Sequence, residues 1–339
     1  MKIHIREANN DDNAELQTFL CDVYGFKPST EYMNWKFVDN PAGTIIRFIA
    51  VTDENIVGQY VLWPTYLQLG KEKTLGAQSM DTFVHNKYQG LGLFINLAEE
   101  CMSAAAQRGI EALYGFPNKN SYPGFIRRLN WDHVGDVPQW FRPIRLSRHG
   151  RVPKIIGPIL DIGEIIIPSG RKSPADIVIK FSNSVPPEGE MKQLFQLMPN
   201  KNKCRILRSH DWLRWRYSEK SGIRYEWLSA YKNNTVIGYA VWSIEGVNYV
   251  GIISDIYAED QLILNTIISA IVRRSKIKKC SYLTIVTNIP QVVKALKHNG
   301  FVRNNRIPLI TRKMTGHTLG SNIHNFSSWE IMGGDMDTM

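Results

Sequence analysis

Apolar and polar positions alternate in some stretches of the chain and recur at helical spacing in others, and the switches between the two mark out its elements. Residues 2–7 predict a strand, and residues 13–24 a helix that Asp11 and Asp12 are placed to cap. Residues 26–29 break that helix, and a second short one is predicted over 31–37, ending before Asn40 and Pro41. Strands follow at 45–51 and 57–64, joined through the turn-forming Asp53-Glu54-Asn55, and residues 66–76 predict a further hairpin. Residues 78–84 read as a strand and Gln89-Gly90-Leu91-Gly92 as a glycine turn. Residues 93–108 then predict a helix with Leu97, Cys101, Ala104 and Ala105 on one face and Gly109 as its stop. A strand at 112–116 ends at Pro117-Asn118.

Residues 134–172 break the pattern, being rich in Pro, Gly and basic residues, and predict a connection between two domains. An apolar helix around 152–167 is interrupted there by prolines. The expected division is a first domain over 1–140, a connecting segment over 141–172 and a second domain over 173–339. Across this division the sequence repeats. Trp35-Lys36-Phe37 recurs as Trp215-Arg216-Tyr217, and Val57-Gly58 as Ile237-Gly238, both at an offset of 180. Asp81 pairs with Asp255 at 174 and Asn118 with Asn288 at 170, a drift that predicts two copies of one fold with small deletions in the second.

A strand, glycine turn and helix make an anion site by simple physics. The first amides of a helix have no internal partner and the helix dipole adds partial positive charge, while glycine lets a diphosphate approach the backbone. The spacing at 89–92 fits neither a three-glycine dinucleotide fingerprint nor a phosphate loop ending in Gly-Lys-Ser/Thr. Opposite this turn the second copy has Asp260-Gln261-Leu262-Ile263-Leu264, without glycine, where acidic and β-branched residues close the backbone to a diphosphate.

At 339 residues with 43% hydrophobic residues, the chain has material for two proper cores. Its charge of +10 is unevenly placed: 15 basic against 16 acidic residues up to Gly150, and 26 against 15 beyond it. An anionic partner is therefore drawn to the second half, although the basic residues are dispersed and no nucleic-acid motif is present. Cys21, Cys101, Cys204 and Cys280 have no metal or CxxC spacing, which predicts free thiols in a reducing cytoplasm and no metal site. No apolar run is long enough to span a membrane, and the start of the chain reads as a strand and not a signal peptide.

Val84-His85-Asn86-Lys87-Tyr88-Gln89-Gly90-Leu91-Gly92-Leu93-Phe94 resembles the acyl-CoA signature of the GNAT superfamily of N-acetyltransferases. Gln89, Gly92 and Phe94 occupy its three marked places, with Phe94 departing from the usual small residue. Asn118, Ser121-Tyr122 and Leu129-Asn130-Trp131 resemble its second half, so that the likeness covers about residues 1–140. It implies an α/β fold with a mixed sheet, two tandem GNAT-like domains of which the second has lost its acyl-CoA site, and acyl-CoA as co-substrate without a metal. Val84, Gln89, Gly90, Leu91, Gly92, Leu93, Phe94 and Asn118 would hold that co-substrate, mostly by main-chain amides. Acyl transfer needs a free amine and a proton for the departing thiolate. Tyr122 is the candidate acid, Ser121 its rival, and Asp81 a candidate acceptor of the amine proton, its repeat partner Asp255 suggesting a fold role instead.

Tandem GNAT-like domains resemble the bacterial N-acyltransferases of nucleotide-linked amino sugars, above all those that acylate dTDP-3-amino-3,6-dideoxyhexoses from acetyl-CoA or 3-hydroxybutanoyl-CoA. The likeness implies direct attack of the sugar amine on the thioester, in a cleft between the two halves, with the basic half holding the nucleotide. Arg214 and Arg216 are the candidate contacts to the nucleotide-linked sugar, and Trp329 and Asp335 reach the amine if the closing stretch 327–337 folds back. Transfer to a peptide, antibiotic or protein amine, a transferase that uses aminoacyl-tRNA, and a non-catalytic acyl-CoA or nucleotide-sugar binding module are the alternatives. The chain length also leaves a homodimer open.

Overall fold

A computed structural model describes residues 2–53, 55–69, 72–145, 174–198, 203–314 and 321–337. The connecting segment expected at 141–172 lies outside the described residues beyond Arg145, as does the interrupted helix at 152–167. The chain forms two compact units. The first comprises Met1–Asp136, Lys201–Leu207 and Pro308–Trp329, and the second Val137–Asn200, Arg208–Ile307 and Glu330–Met339.

In the first unit β1 (His4–Glu7), β2 (Ile46–Val51), β3 (Ile56–Leu69) and β4 (Glu72–Val84) form an antiparallel series. Strand β5 (Ala112–Gly115) then joins β4 in parallel across helix α3 (Leu93–Gln107), as a β-α-β crossover requires. Helices α1 (Asn13–Tyr24), α2 (Thr30–Phe37) and α4 (Tyr122–Arg127) complete it. Leu97, Ala98, Cys101 and Ala105 of α3 face Tyr60, Leu62 and Leu113 of the sheet in one core. Each such fully buried large side chain contributes about 1.5–3 kcal/mol. Asp12 stands at the start of α1 but does not cap it: its carboxylate accepts from Arg6, at 2.6 and 2.7 Å, and from the Asn9 amide at 2.8 Å.

The second unit repeats the plan. Strands β7 (Val178–Ser182), β9 (Tyr225–Lys232), β10 (Thr235–Glu245) and β11 (Val250–Ala258) are antiparallel, and β12 (Tyr282–Val286) joins β11 in parallel across α7 (Gln261–Ile277). Helix α5 (Glu188–Leu197) precedes the three-residue strand β8 (Cys204–Ile206), which belongs to the first unit and pairs with β3 there. Helices α6 (His210–Arg216) and α8 (Pro290–His298) stand where α2 and α4 stand in the first copy. Trp35 of α2 is a core residue, whereas in α6 that place goes to Trp212 and Trp215 is only half-buried.

The last strand of each repeat is exchanged. Strand β6 (Asp132–Pro143) follows β5 and α4 in sequence, yet pairs with β12 in the second unit. Strand β13 (Val302–Lys313) follows β12 and α8 but pairs with β5 in the first. The Pro-rich stretch from residue 134 is thus a strand as far as Pro143, stabilised by a partner that sequence periodicity does not reveal. The hairpin expected at 66–76 is present, as the closing end of β3 and β4, which pair continuously from Gly58/Val84 to Leu69/Glu72 but for one bulge.

Candidate active site

Strands β4 and β5 run together only from Gly76/Ala112 to Ser79/Gly115. Beyond that point β4 continues to Val84, hydrogen-bonded to β3 alone among the described residues, so the main-chain groups of 80–84 on the β5 side have no ladder partner. A bulge marks the parting. Gln59 lies opposite Phe83 and Val61 opposite Met80, which leaves Tyr60 facing both Asp81 and Thr82. Asp81 takes φ 44°, a left-handed conformation uncommon outside glycine.

The loop after β4 turns back on itself. The His85 amide donates to Val57 O, and the Gln89 side chain donates to Val84 O at 3.2 Å and to Asn86 Oδ1 at 3.0 Å. Gly90 and Gly92 then adopt φ 82° and 78°, with nothing within 4 Å of where a Cβ would stand. Glycine is demanded here by backbone conformation and not by space. Gly92 caps α3 without any side-chain bond, and the amides of Leu91, Gly92, Leu93 and Phe94 have no main-chain acceptor among the described residues. Four donors at the positive end of a 15-residue helix, reached through two glycines, suit a diphosphate. Leu91 is 58% exposed while Leu93 is in the core, so neither side chain is needed for such a contact. Val84 is half-buried beside them. Phe94 is accommodated by α4: its ring meets Phe125 edge-on at 5.3 Å, and a Cβ on Gly124 would come within 2.7 Å of it.

Past β5, Asn118 Oδ1 accepts from the amides of Asn120 and Ser121, at 2.9 and 3.0 Å, and so builds the turn into α4. Ser121 lies at the head of that helix, its hydroxyl 3.3 Å from Asn118 Oδ1. Tyr122 begins α4 and its ring packs edge-on against His133, while its hydroxyl has no partner among the described residues. It is therefore free to donate.

The other expected site residues are committed elsewhere. The Asp81 carboxylate is buried 2.8 Å from Lys36 Nζ and accepts from the Tyr24 hydroxyl at 2.8 Å, which leaves it enclosed where a proton acceptor was expected. Burial, with the Asp81 charge next to it, raises the Tyr24 hydroxyl well above its ordinary pKa. Trp329 is buried in the first unit, with Nε1 donating to Ile323 O at 2.9 Å. Arg216 is buried in the second, donating to Gly334 O and Met336 O at 3.0 and 2.6 Å. Asp335 is enclosed and ion-paired with Arg208 at 2.6 Å, its pKa lifted by burial to about 6 against the pull of that guanidinium. These three side chains have no surface to offer a ligand. Arg214 does: its side chain is 71% exposed, with Asp211 at 3.6 Å.

The same corner of the second unit is closed twice over. Asp260 caps α7 with its own carboxylate, accepting from the Ile263 amide at 2.8 Å, where Gly92 leaves the amides of α3 open. Burial and the neighbouring Asp260 raise the Glu259 carboxyl above its ordinary range. Strands β11 and β12 part after Ile253/Ile285, and residues 331–336 occupy the opening. Met332 bridges to Thr287, the Ile331 amide donates to Asn288 Oδ1 at 2.8 Å, and Gly334 packs so closely that a Cβ would overlap the Tyr217 hydroxyl. The closing stretch does fold back, and its residues 331–336 pack into the second unit. Arg208, the cation at the centre of this cluster, escaped sequence reading; the paired Asp81 and Asp255 were the signal that could have led to it.

Residues 4–134 match the family Acetyltransferase (GNAT) domain. No curated protein matches the chain in sequence. Among solved structures it is similar to a probable N-acyltransferase from Enterococcus faecalis, at 11% identity and TM-score 0.67 over 93% of this chain and 73% of that one. A GCN5-related N-acetyltransferase from Anabaena variabilis gives 11% and 0.66 over the same shares. A tandem GNAT protein from the clavulanic acid biosynthesis pathway gives 14% and 0.58, over 93% of this chain and all of that one. Residues 4–134 are thus similar to a GNAT acetyltransferase domain, in a chain whose fold is like that of a tandem GNAT protein. None of its described helices is long and apolar enough to cross a membrane.

Proposed function

We propose that the chain is an N-acyltransferase that takes its acyl group from acyl-CoA in the first unit and uses the second unit as a scaffold without a co-substrate site. One contrast carries this: the amides at the head of α3 are open beside a parted pair of strands, whereas their counterparts at α7 are capped by Asp260 beside a filled opening. The diphosphate of acyl-CoA sits on the amides of 91–94, and its pantetheine arm runs along the edge of 80–84 that β5 does not pair. The acceptor amine attacks the thioester carbonyl carbon. A C–N bond forms, the C–S bond breaks, the amine proton passes to water and the thiolate takes a proton from Tyr122, without a covalent enzyme intermediate. Tyr122→Phe is expected to lower kcat about 100-fold, within the range of general acid catalysis, and to leave KM for acyl-CoA unchanged. An unchanged kcat, read from thiol release at saturating substrates, would pass the role to Ser121.

The acceptor we propose is a nucleotide-linked amino sugar of the dTDP-3-amino-3,6-dideoxyhexose type. The positive balance of the chain beyond Gly150 supports it, with exposed Arg214 as the candidate contact. The likeness to the tandem protein of the clavulanic acid pathway favours a second reading, an antibiotic-type small-molecule amine. A thiol-release assay with acetyl-CoA and 3-hydroxybutanoyl-CoA separates them. Release with the dTDP-amino sugar alone supports the first, and release only with antibiotic or peptide amines the second. If CoA binds and no amine releases thiol, the chain is a binding module.

A further inference from the structure

The site described above depends on strands β4 and β5 parting at one place. That place is held by charge. At the bulge Asp81 is fixed at both ends: Lys36 Nζ and the Tyr24 hydroxyl each lie 2.8 Å from its carboxylate, and Gln59 Nε2 donates to its carbonyl oxygen at 2.9 Å. Gln59 is in turn gripped by Arg47, whose Nε and Nη2 reach its Oε1 at 3.1 and 2.6 Å. The side chains of Lys36 and Asp81 are each 4% exposed, and the ammonium lies 5.3 and 5.7 Å from the ring centres of Tyr24 and Tyr32. An ion pair so enclosed is costly to build, and removal of either member strands the other charge in a dry place. It adds little as surface chemistry. What it does is hold a left-handed non-glycine residue in the middle of a strand.

The second unit repeats the device with other residues. Val241 lies opposite Asp255 and Trp242 opposite Ile253, so that Ser254 is the extra residue of a bulge. Asp255 is held by Arg208 Nε at 3.1 Å and by the Tyr217 hydroxyl at 3.0 Å, again one cation and one tyrosine on a buried carboxylate. Here too the bulge lies just past the last parallel pairs of β11 and β12, where the opening begins. Its occupant is the stretch 331–336, whose Asp335 shares the same arginine. One clamp at one point of the fold therefore shapes an opening in both units, whatever fills it.

We infer that Lys36 is a positioning residue for acyl transfer: through its buried pair with Asp81 it fixes the bulge that parts β4 from β5, and so sets the main-chain groups of 80–84 that line the path of the acyl-CoA. Asp81 acts through geometry and not as the base. The inference rests on the acyltransferase reading given above, and two readouts on the full chain keep the failures apart: CoA binding by calorimetry, and acyl transfer by thiol release.

Lys36→Met and Asp81→Asn are each expected to weaken CoA binding and raise KM for acyl-CoA roughly tenfold, with KM for the acceptor unchanged, because a misplaced strand edge costs that much or more. The double variant Lys36→Met/Asp81→Asn, which strands no charge, is expected to be no worse than either single change. Lys36→Arg should restore binding to within about threefold, since it keeps the cation. Should Lys36→Met fail to fold, Tyr24→Phe, which removes the hydroxyl's bonds to Asp81 and Lys36 and no charge, is expected to raise KM for acyl-CoA about threefold. Wild-type CoA binding by Lys36→Met, or by Tyr24→Phe in its place, would overturn the inference. So would an Asp81→Asn enzyme that binds CoA normally and has lost kcat, since Asp81 would then be the base. If the wild-type chain binds CoA but transfers to no amine, the acyltransferase reading fails, and the binding series alone decides whether the clamp stands.

Discussion

Gly92→Val is expected to lower the affinity for CoA by about 100-fold or more while the chain stays folded. The wild-type chain should titrate one CoA, since the counterpart helix head in the second unit is capped by Asp260, and the variant none at ordinary concentrations. Gly92 holds φ 78° with no atom within 4 Å of a Cβ, so a valine there meets no clash. The penalty is conformational: a left-handed β-branched residue costs about 1–2 kcal/mol, and the turn relieves it by rotating the amides of 92–94 away. Each charge-assisted hydrogen bond to a phosphate is worth about 1.5–3 kcal/mol, so losing two accounts for a 100-fold effect. Leu91→Ala changes an exposed side chain at the same turn and should bind within about twofold of wild type, because only its amide is used. Isothermal titration with a melting curve on each variant checks both. A Gly92→Val chain that binds CoA as the wild type does would remove the turn from the site.

Arg208→Met is expected to destabilise the second unit by about 3–5 kcal/mol, a fall of about 10 °C in its melting transition. The guanidinium is buried between Asp255 and Asp335, at 3.1 and 2.6 Å, and both carboxylates lose their cation at once. The loss should shrink at low pH. Burial already lifts Asp335 to about 6, so the folded chain takes up its proton more readily than the unfolded one. Between the ordinary value of 3.8 and about 6 this carboxyl therefore favours the native state less as pH rises. In the variant the unpaired acids are least costly when protonated, and the gap to wild type should be smaller at about pH 5 than at about pH 8. Thermal melts at the two values measure this. A gap independent of pH would mean that Asp335 is not the stranded charge.

Much of the element order was legible in the residues. The helix predicted at 13–24 is α1 to the residue, and the helix predicted at 93–108 is α3 but for its last position. Both carry one apolar stripe, which periodicity reports directly. The hairpin predicted at 66–76 is present, but the strand predicted to end at Pro64 runs on into it: proline lacks an amide donor and invites a strand end, yet β3 passes through it and Asn40 Nδ2 donates to its carbonyl at 2.8 Å. In the same way Pro138 suggested a linker, and β6 passes through it because β12 supplies the pairing beyond. Proline states what a backbone lacks. It does not state what a neighbour will provide.

Within the site, the glycine turn was readable because a positive φ is a local demand that only the residue itself can meet. The same holds for Asp260, a capping residue type just before the first position of its helix. The fates of Asp81, Arg216, Trp329 and Asp335 were not readable. Their partners lie far off in sequence, Lys36 for Asp81, Gly334 and Met336 for Arg216, Arg208 for Asp335. A carboxylate or guanidinium looks the same in a sequence whether it faces solvent or a buried counter-charge, and only enclosure decides between a reactive group and a structural one. So the residues alone determined where the backbone turns left-handed ahead of a helix, because that depends on torsion angles one residue at a time. The tertiary structure decided which openings stay empty and which charges are spent on holding them, because burial and pairing belong to neighbours that the linear order does not name.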